Sequence, residues 1–183
     1  PALFVDCAWL FYNLNFGIMT WYWVALLIFL TFWGMEFVAW ATHKYVMHGF
    51  LWNLHHDHHN KTPGFFEKND AFFLIFAVPS WLCIMLGMMG NNWISVSIGF
   101  GIAIYGIAYF LVHEVYIHQR FSWFKNSDNL YLRSVLRAHK MHHRHLGRKD
   151  GESFGMLIIH PKYIRQELEA RKKKTPKAKA ASA

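Results

Sequence analysis

Histidine recurs in this chain at an unusual interval. "HKYVMH" sets His43 and His48 five positions apart, and "HEVYIH" repeats the interval with His113 and His118. Each pair is followed by a second cluster: "HHDHH" carries His55, His58 and His59, and "HKMHH" carries His139, His142 and His143, both in the pattern i, i+3, i+4. Imidazole is the commonest side-chain ligand for metal ions, so metal binding is the first chemistry these residues suggest. The zinc-protease signature H-E-x-x-H places its two histidines at i and i+4. "HEVYIH" has one residue too many, and the other copy has Lys44 where this one has Glu114.

On an α-helix, residues i, i+3 and i+4 fall within about 100° of arc, so their rings converge while the last two diverge enough to reach neighbouring ions. Five residues at roughly 100° each leave an H-x-x-x-x-H pair about 140° apart. That predicts one ring per ion: His43 and His48 on different metals, His113 and His118 likewise, and five histidines around each. His56, His145 and His160 fall outside the repeat and are read as solvent-facing or as hydrogen-bond partners rather than ligands. Imidazole suits zinc, copper, nickel and iron alike. Zinc usually stops at four ligands, however, and the ten repeated histidines exceed what one zinc uses. An all-nitrogen, high-coordinate pair with an open position fits two irons that activate dioxygen, with zinc able to substitute. A low-complexity chelating tract would not repeat fixed spacings among varied residues.

Long apolar stretches must position these motifs. Of 183 residues, 54% are hydrophobic and 19% aromatic, a heavy load for a soluble chain of this size. Residues 18–42 carry a single charge, Glu36, while residues 71–89 and 93–112 carry none. Each approaches or exceeds the roughly 20 residues needed to cross a bilayer's hydrocarbon core. Gly90–Asn92 reads as a tight turn between two antiparallel helices. The fold expected is all-α: a polytopic membrane protein with three to four transmembrane helices and a cytoplasmic helical cap carrying the histidine motifs. Residues 2–16 supply either an interfacial segment or the fourth span. Residues 1–170 form one membrane-embedded domain, and residues 171–183 a basic disordered tail.

All 19 Lys and Arg lie between the first two runs or after the third, and so do all 13 His. By the positive-inside rule the histidines and the C-terminus face the cytoplasm. No basic region precedes Lys44, so a cleavable signal is not expected. Cys7 and Cys83 sit among apolar neighbours and offer no disulfide framework. The net charge of +8 is read as attraction to anionic lipid and, near Arg144, Arg148 and Lys149, as a docking face for an acidic electron carrier. Nucleic-acid binding is not expected, since the basic residues follow the membrane face rather than any recognition motif.

Metal-bound histidine usually donates its second N–H to a carboxylate or carbonyl, so nearby acids are candidate partners. Asp57, Glu67, Asp70, Glu114 and Asp128 qualify by proximity in sequence. Glu36 stands apart: an acid inside an apolar run is costly and is by default a functional suspect. Lying seven residues before His43, it either hydrogen-bonds a ligand or lines a substrate pocket, or else it makes a helix–helix hydrogen bond in protonated form.

The stretches "GMEFVAWATHKYVMHGFLWNLHHDHH", "FEKND", "VHEVYIHQR" and "AHKMHHRHLGRKDGESFG" resemble the bacterial β-carotene hydroxylases of the membrane fatty-acid hydroxylase and sterol desaturase superfamily. The likeness runs from Gly34 to the region of His160, and all ten family histidines find a match in His43, His48, His55, His58, His59, His113, His118, His139, His142 and His143. The resemblance implies a non-haem di-iron monooxygenase in a bacterial inner membrane. Its reaction would be hydroxylation at C3 of carotenoid β-rings, taking β-carotene through cryptoxanthin to zeaxanthin, with dioxygen as co-substrate. It also implies carotenoid drawn from the bilayer and electrons from NAD(P)H through a ferredoxin-type donor. A carotenoid ketolase, or a sterol or fatty-acyl hydroxylase or desaturase, is the nearest alternative, because the same centre serves all of them. A membrane metal transporter would need polar residues along its path, and the second and third apolar runs offer almost none.

Overall fold

A computed structural model of the chain describes residues 2–60, 64–123, 127–147, 149 and 151–180, with side chains described from residue 21 to residue 173 within those ranges. All regular secondary structure among the described residues is helical. Helix α1 spans Ala2–Ala41 and passes into a π-helical segment, π1, over Thr42–Phe50. Helix α2 (Trp52–His59) and a 3₁₀ turn (Lys68–Asp70) lead into α3 (Ala71–Met89). Helix α4 (Trp93–Phe110) passes into a second π-helical segment, π2, over Leu111–Ile117. The chain ends in α5 (Leu130–His142) and α6 (Pro161–Ala180).

Residues 2–20 continue α1 as backbone rather than forming a separate span, and residues 171–180, expected as a loose tail, carry the backbone of α6 onward. Residues 181–183 lie outside the described residues.

The chain divides into two compact units. One comprises the chain up to Met35 together with Ile75–Tyr105; the other comprises Glu36–Leu74 together with everything from Gly106 onward. In the first unit, α3 and α4 are joined by the short polar turn that the sequence marks. Asn92 N–H donates to Gly87 O at 2.8 Å, and Asn91 takes a left-handed φ of 51°, which asparagine tolerates better than most residues. Close approach holds the pair. A Cβ on Gly99 would stand 2.6 Å from Ile84 Cγ1 and 2.8 Å from Ser80 O, and Ser80 Oγ donates to Gly99 O at 2.8 Å. Helix α1 crosses α4 just as tightly, since a Cβ on Gly101 would meet Thr31 Cβ at 2.5 Å. Small residues at helix crossings are how membrane helices gain contact where the hydrophobic effect gives little.

Three helical stretches among the described residues are long and apolar enough to span a bilayer: Trp21–Phe50, Lys68–Met89 and Trp93–Ile117. Only 11, 17 and 28% of their most apolar stretches are buried by the protein, and Phe29, Leu30, Trp33, Phe73, Trp81 and Leu86 all face outward. So much outward apolar surface requires lipid to cover it. The protein is a membrane protein.

The second unit holds every histidine. There α5 packs on α6 through buried Glu167, whose carboxylate accepts from Arg133 Nε and Arg137 Nη2, both at 2.7 Å. Burial opposes that charge, but the two guanidiniums prevail and hold the carboxyl at about 2. At the start of α5, Asn129 Oδ1 caps the Leu132 amide at 3.1 Å.

Candidate metal centre

The spacing that looked wrong on an α-helix is right on the helix the chain forms. Both H-x-x-x-x-H pairs lie in or at the end of a π-helical segment, where hydrogen bonds run from i to i+5 and residues five apart share one face. Just past the end of the first, beyond a kink at Gly49, Leu51 N–H donates to Val46 O at 3.0 Å, and at the end of the second His118 N–H donates to His113 O at 2.9 Å. The ring centroids consequently close to 5.2 Å for His43 and His48 and to 4.5 Å for His113 and His118. This corrects the expectation that each pair divides between two ions: the two members of each pair fall in the same group.

The histidines gather into two groups. His43, His48, His55, His59 and His142 form one; His58, His113, His118 and His139 form the other; within each, one nitrogen from every ring lies within 4.8 Å of those from the others. On α2 the adjacent rings part, His58 to the second group and His59 to the first. On α5, His139 joins the second group and His142 the first. His143 belongs to neither but stands between them, its Nε2 2.8 Å from His139 Nε2 and its ring stacked 4.3 Å from that of His59. The groups adjoin, with the rings of His55 and His58 5.2 Å apart.

In the first group the outward nitrogens donate to neutral oxygens. His43 Nδ1 reaches Phe154 O at 3.0 Å, His48 Nδ1 reaches Leu146 O at 3.0 Å, His142 Nδ1 reaches Glu152 O at 3.1 Å, and His55 Nδ1 reaches Asn69 Oδ1 at 2.7 Å. A neutral imidazole that donates through Nδ1 keeps a bare lone pair on Nε2. Those lone pairs point at each other: His43 Nε2 is 3.1 Å from His55 Nε2, and His48 Nε2 is 3.2 Å from His142 Nε2. Two facing acceptors with no proton between them repel, and a shared cation removes the conflict.

The second group uses carboxylates instead. His58 Nδ1 donates to Glu67 Oε2 at 2.9 Å and His113 Nδ1 to Glu114 Oε1 at 2.6 Å. Their Nε2 atoms are then buried acceptors without a hydrogen-bond partner among the described residues. Arg120 locks the acids in place, pairing with both oxygens of Asp70 at 2.7 and 2.9 Å, with Glu114 Oε2 at 2.9 Å, and donating to Phe65 O. Asp70 Oδ2 also accepts from the Glu67 amide at 3.1 Å, so one salt-bridged network orients both carboxylates.

Burial keeps these rings neutral, which is the form that binds metal. It lowers His55 and His143 to about 4 and His58 to about 3, with neighbouring imidazoles adding to the effect. His59, His139 and His142 are depressed for the same reasons. Burial, followed by the charge of Glu114, raises Glu67 above its ordinary value.

Of the acids singled out from sequence, Glu67 and Glu114 touch imidazoles directly, and Asp70 acts through Arg120. Asp57 Oδ2 instead accepts from the Lys68 amide at 2.6 Å, tying α2 to the 3₁₀ turn. Asp128 is on the surface, its side chain 98% exposed and 3.8 Å from Arg133. Glu36 reaches the backbone of residues 156–158. His56, His145 and His160 are exposed, outside both groups. Sequence reasoning missed Asn69, Arg120 and the carbonyls of Leu146, Glu152 and Phe154. Asn69 and Arg120 do lie beside the histidine motifs, in "FEKND" and "HEVYIHQR", whereas a carbonyl leaves no trace in the residue type.

Two adjacent, buried histidine groups suited to a pair of metals, in a helical membrane protein, define a class. Residues 27–160 match the family described as Fatty acid hydroxylase, and the chain belongs to that family. It is similar to a β-carotene hydroxylase of Pantoea ananas, 42% identical over 143 residues that cover 78% of this chain and 81% of that one. A β-carotene hydroxylase of Pseudescherichia vulneris is 38% identical over 160 residues, covering 86% and 89%. The chloroplastic β-carotene 3-hydroxylase 1 of Arabidopsis thaliana is 35% identical over 136 residues, 73% of this chain and 43% of its own. No solved structure matches significantly.

Proposed function

We propose that this chain is a di-iron β-carotene hydroxylase that adds a hydroxyl at C3 of carotenoid β-rings, leading through cryptoxanthin to zeaxanthin. The observation that carries the reading is the pair of adjoining histidine groups whose bare Nε2 atoms converge, within a segment shared with relatives named as β-carotene hydroxylases. His43, His48, His55, His59 and His142 would hold one iron and His58, His113, His118 and His139 the other, with His143 between them. Bound iron supplies the activation of dioxygen needed to oxidise an unactivated C–H bond. The chain's own residues do the rest. The Nδ1 partners of His43, His48, His55, His58, His113 and His142 fix the tautomer and direction of those rings, the carboxylates of Glu67 and Glu114 strengthen their rings as donors, and burial keeps the rings neutral.

Three further parts belong to this reading. Substrate enters from lipid, which fits a chain whose spanning helices turn apolar side chains outward. The histidine groups and C-terminus face the cytoplasm, on the charge asymmetry of the sequence. Electrons arrive from NAD(P)H through an acidic ferredoxin at the basic surface that includes exposed Arg144 and Lys149; Arg148 lies outside the described residues.

The test is expression in a bacterium that accumulates β-carotene, with pigments identified by chromatography and mass spectrometry. Cryptoxanthin and zeaxanthin are expected. Unchanged β-carotene, or ketolated pigment instead, would overturn the assignment.

A further inference from the structure

We propose that Glu36 is a positioning residue that builds the first histidine group, and only that group, by holding a strap of backbone in place. This rests on the reading of the histidines as metal ligands. Glu36 is 4% exposed, and its Oε1 accepts three consecutive amides: Met156 at 2.9 Å, Leu157 at 2.8 Å and Ile158 at 2.8 Å. Successive N–H groups closing on one oxygen form an anion nest. The nest fixes residues 156–158 against the end of α1.

The strap leading into that nest carries two of the carbonyls that orient metal-facing rings. Phe154 O takes the Nδ1 proton of His43 at 3.0 Å, and Glu152 O takes that of His142 at 3.1 Å. The His43 and His142 rings lie 4.4 Å apart in the first group. The Phe154 ring packs on His43, His48 and His142 with centroids 5.6, 5.2 and 5.1 Å away. Anything that moves the strap therefore moves these rings together. No strap carbonyl serves His58 or His113, whose Nδ1 partners are the Glu67 and Glu114 side chains.

Gly155 gives an independent handle on the same contact. A Cβ there would stand 2.9 Å from Glu36 Oε1 and 3.3 Å from Ile158 O, so the strap and the carboxylate meet too closely for a side chain. Its φ is not in the left-handed region, so an alanine would act by displacing the carboxylate rather than by straining the backbone.

The experiment compares the purified full chain with its Glu36→Leu, Glu36→Gln and Gly155→Ala variants after loading with ferrous iron. It measures iron per chain and amide hydrogen exchange over residues 152–158, with residues 67–70 as the internal control. Glu36→Leu and Gly155→Ala are expected to lose about half of the bound iron, with faster exchange at 156–158 and none of that change at 67–70. Glu36→Gln keeps an acceptor oxygen and is expected to retain both the iron and the protection. Full iron in Glu36→Leu, loss of both irons together, or equal damage in Glu36→Gln would overturn the proposal. If Glu36→Leu does not fold, Gly155→Ala decides on the same criteria. No carotenoid enters these measurements, so a wrong substrate assignment leaves them standing. A wild-type chain that binds no metal pair would count against the di-iron reading, while exchange at 156–158 would still decide what Glu36 holds.

Discussion

The two histidine groups are near neighbours built on different principles. In the first, four rings donate to three backbone carbonyls and one amide oxygen, all neutral. In the second, two rings donate to carboxylates: that of Glu114, which Arg120 binds to Asp70, and that of Glu67, whose backbone amide donates to the same Asp70. A carboxylate partner makes an imidazole a stronger electron donor than a carbonyl does, so the two metals of a pair would sit in unequal fields. The difference also sets what each group depends on: loop backbone for the first, ionised side chains for the second.

Removing one central ring from each group breaks that comparison most severely. His55→Ala and His58→Ala should each abolish hydroxylation, lowering it more than about 100-fold, and each should cost mainly the metal of its own group. Metal analysis alongside pigment assay checks this; identical metal loss in both would show one cooperative cluster instead of two sites. Next come the partners. Glu114→Gln should lower metal affinity at the second group by about 10–100-fold, because it removes a charge from His113 and a partner from Arg120. Asn69→Ala should weaken only the first group, and by less, since the lost acceptor is neutral. Competition with a metallochromic chelator ranks the two.

Acid gives a smaller, graded effect. Because His55 and His143 are held at about 4 and His58 at about 3, against about 6.5 in an unfolded chain, the unfolded state binds more protons within that window. Stability of the metal-free protein should be complete above about pH 6.5 and fall steadily as the pH drops toward 4. Thermal unfolding in detergent at stepped pH measures it, and a flat profile would show that the rings titrate freely. The smallest effect is expected outside both groups. Glu167→Gln should lower the melting temperature by a few degrees, since it loosens α5 from α6 while leaving metal content unchanged.

How much of this the sequence disclosed depends on whether the signal was carried by a side chain and by an ordinary helix. Three apolar runs located three spans, because hydropathy and length are properties of residues in a row. The i, i+3, i+4 spacing of the first triplet sent His58 and His59 to different groups, because α2 is a regular α-helix; in the second triplet His142 joined the first group and His143 neither. The pairs misled for the opposite reason: an angle of about 140° assumes α winding, and both segments wind as π-helices. Glu36 was conspicuous as an acid among apolar residues, but its partners lie 120 to 122 positions away and are amides, which no residue type announces. Asp128 failed because nearness in sequence to a histidine motif says nothing about the direction in which a loop side chain turns.

The wide winding of π1 also gives the chain slack at one turn. Losing one codon among those for Lys44–Met47 would return that turn to ordinary 3.6-residue winding with His43 and His48 four apart, still on one side of the rod. The same loss among Asn53–Asp57 offers no such slack, because it would swing part of the "HHDHH" array by about 100° relative to the remainder.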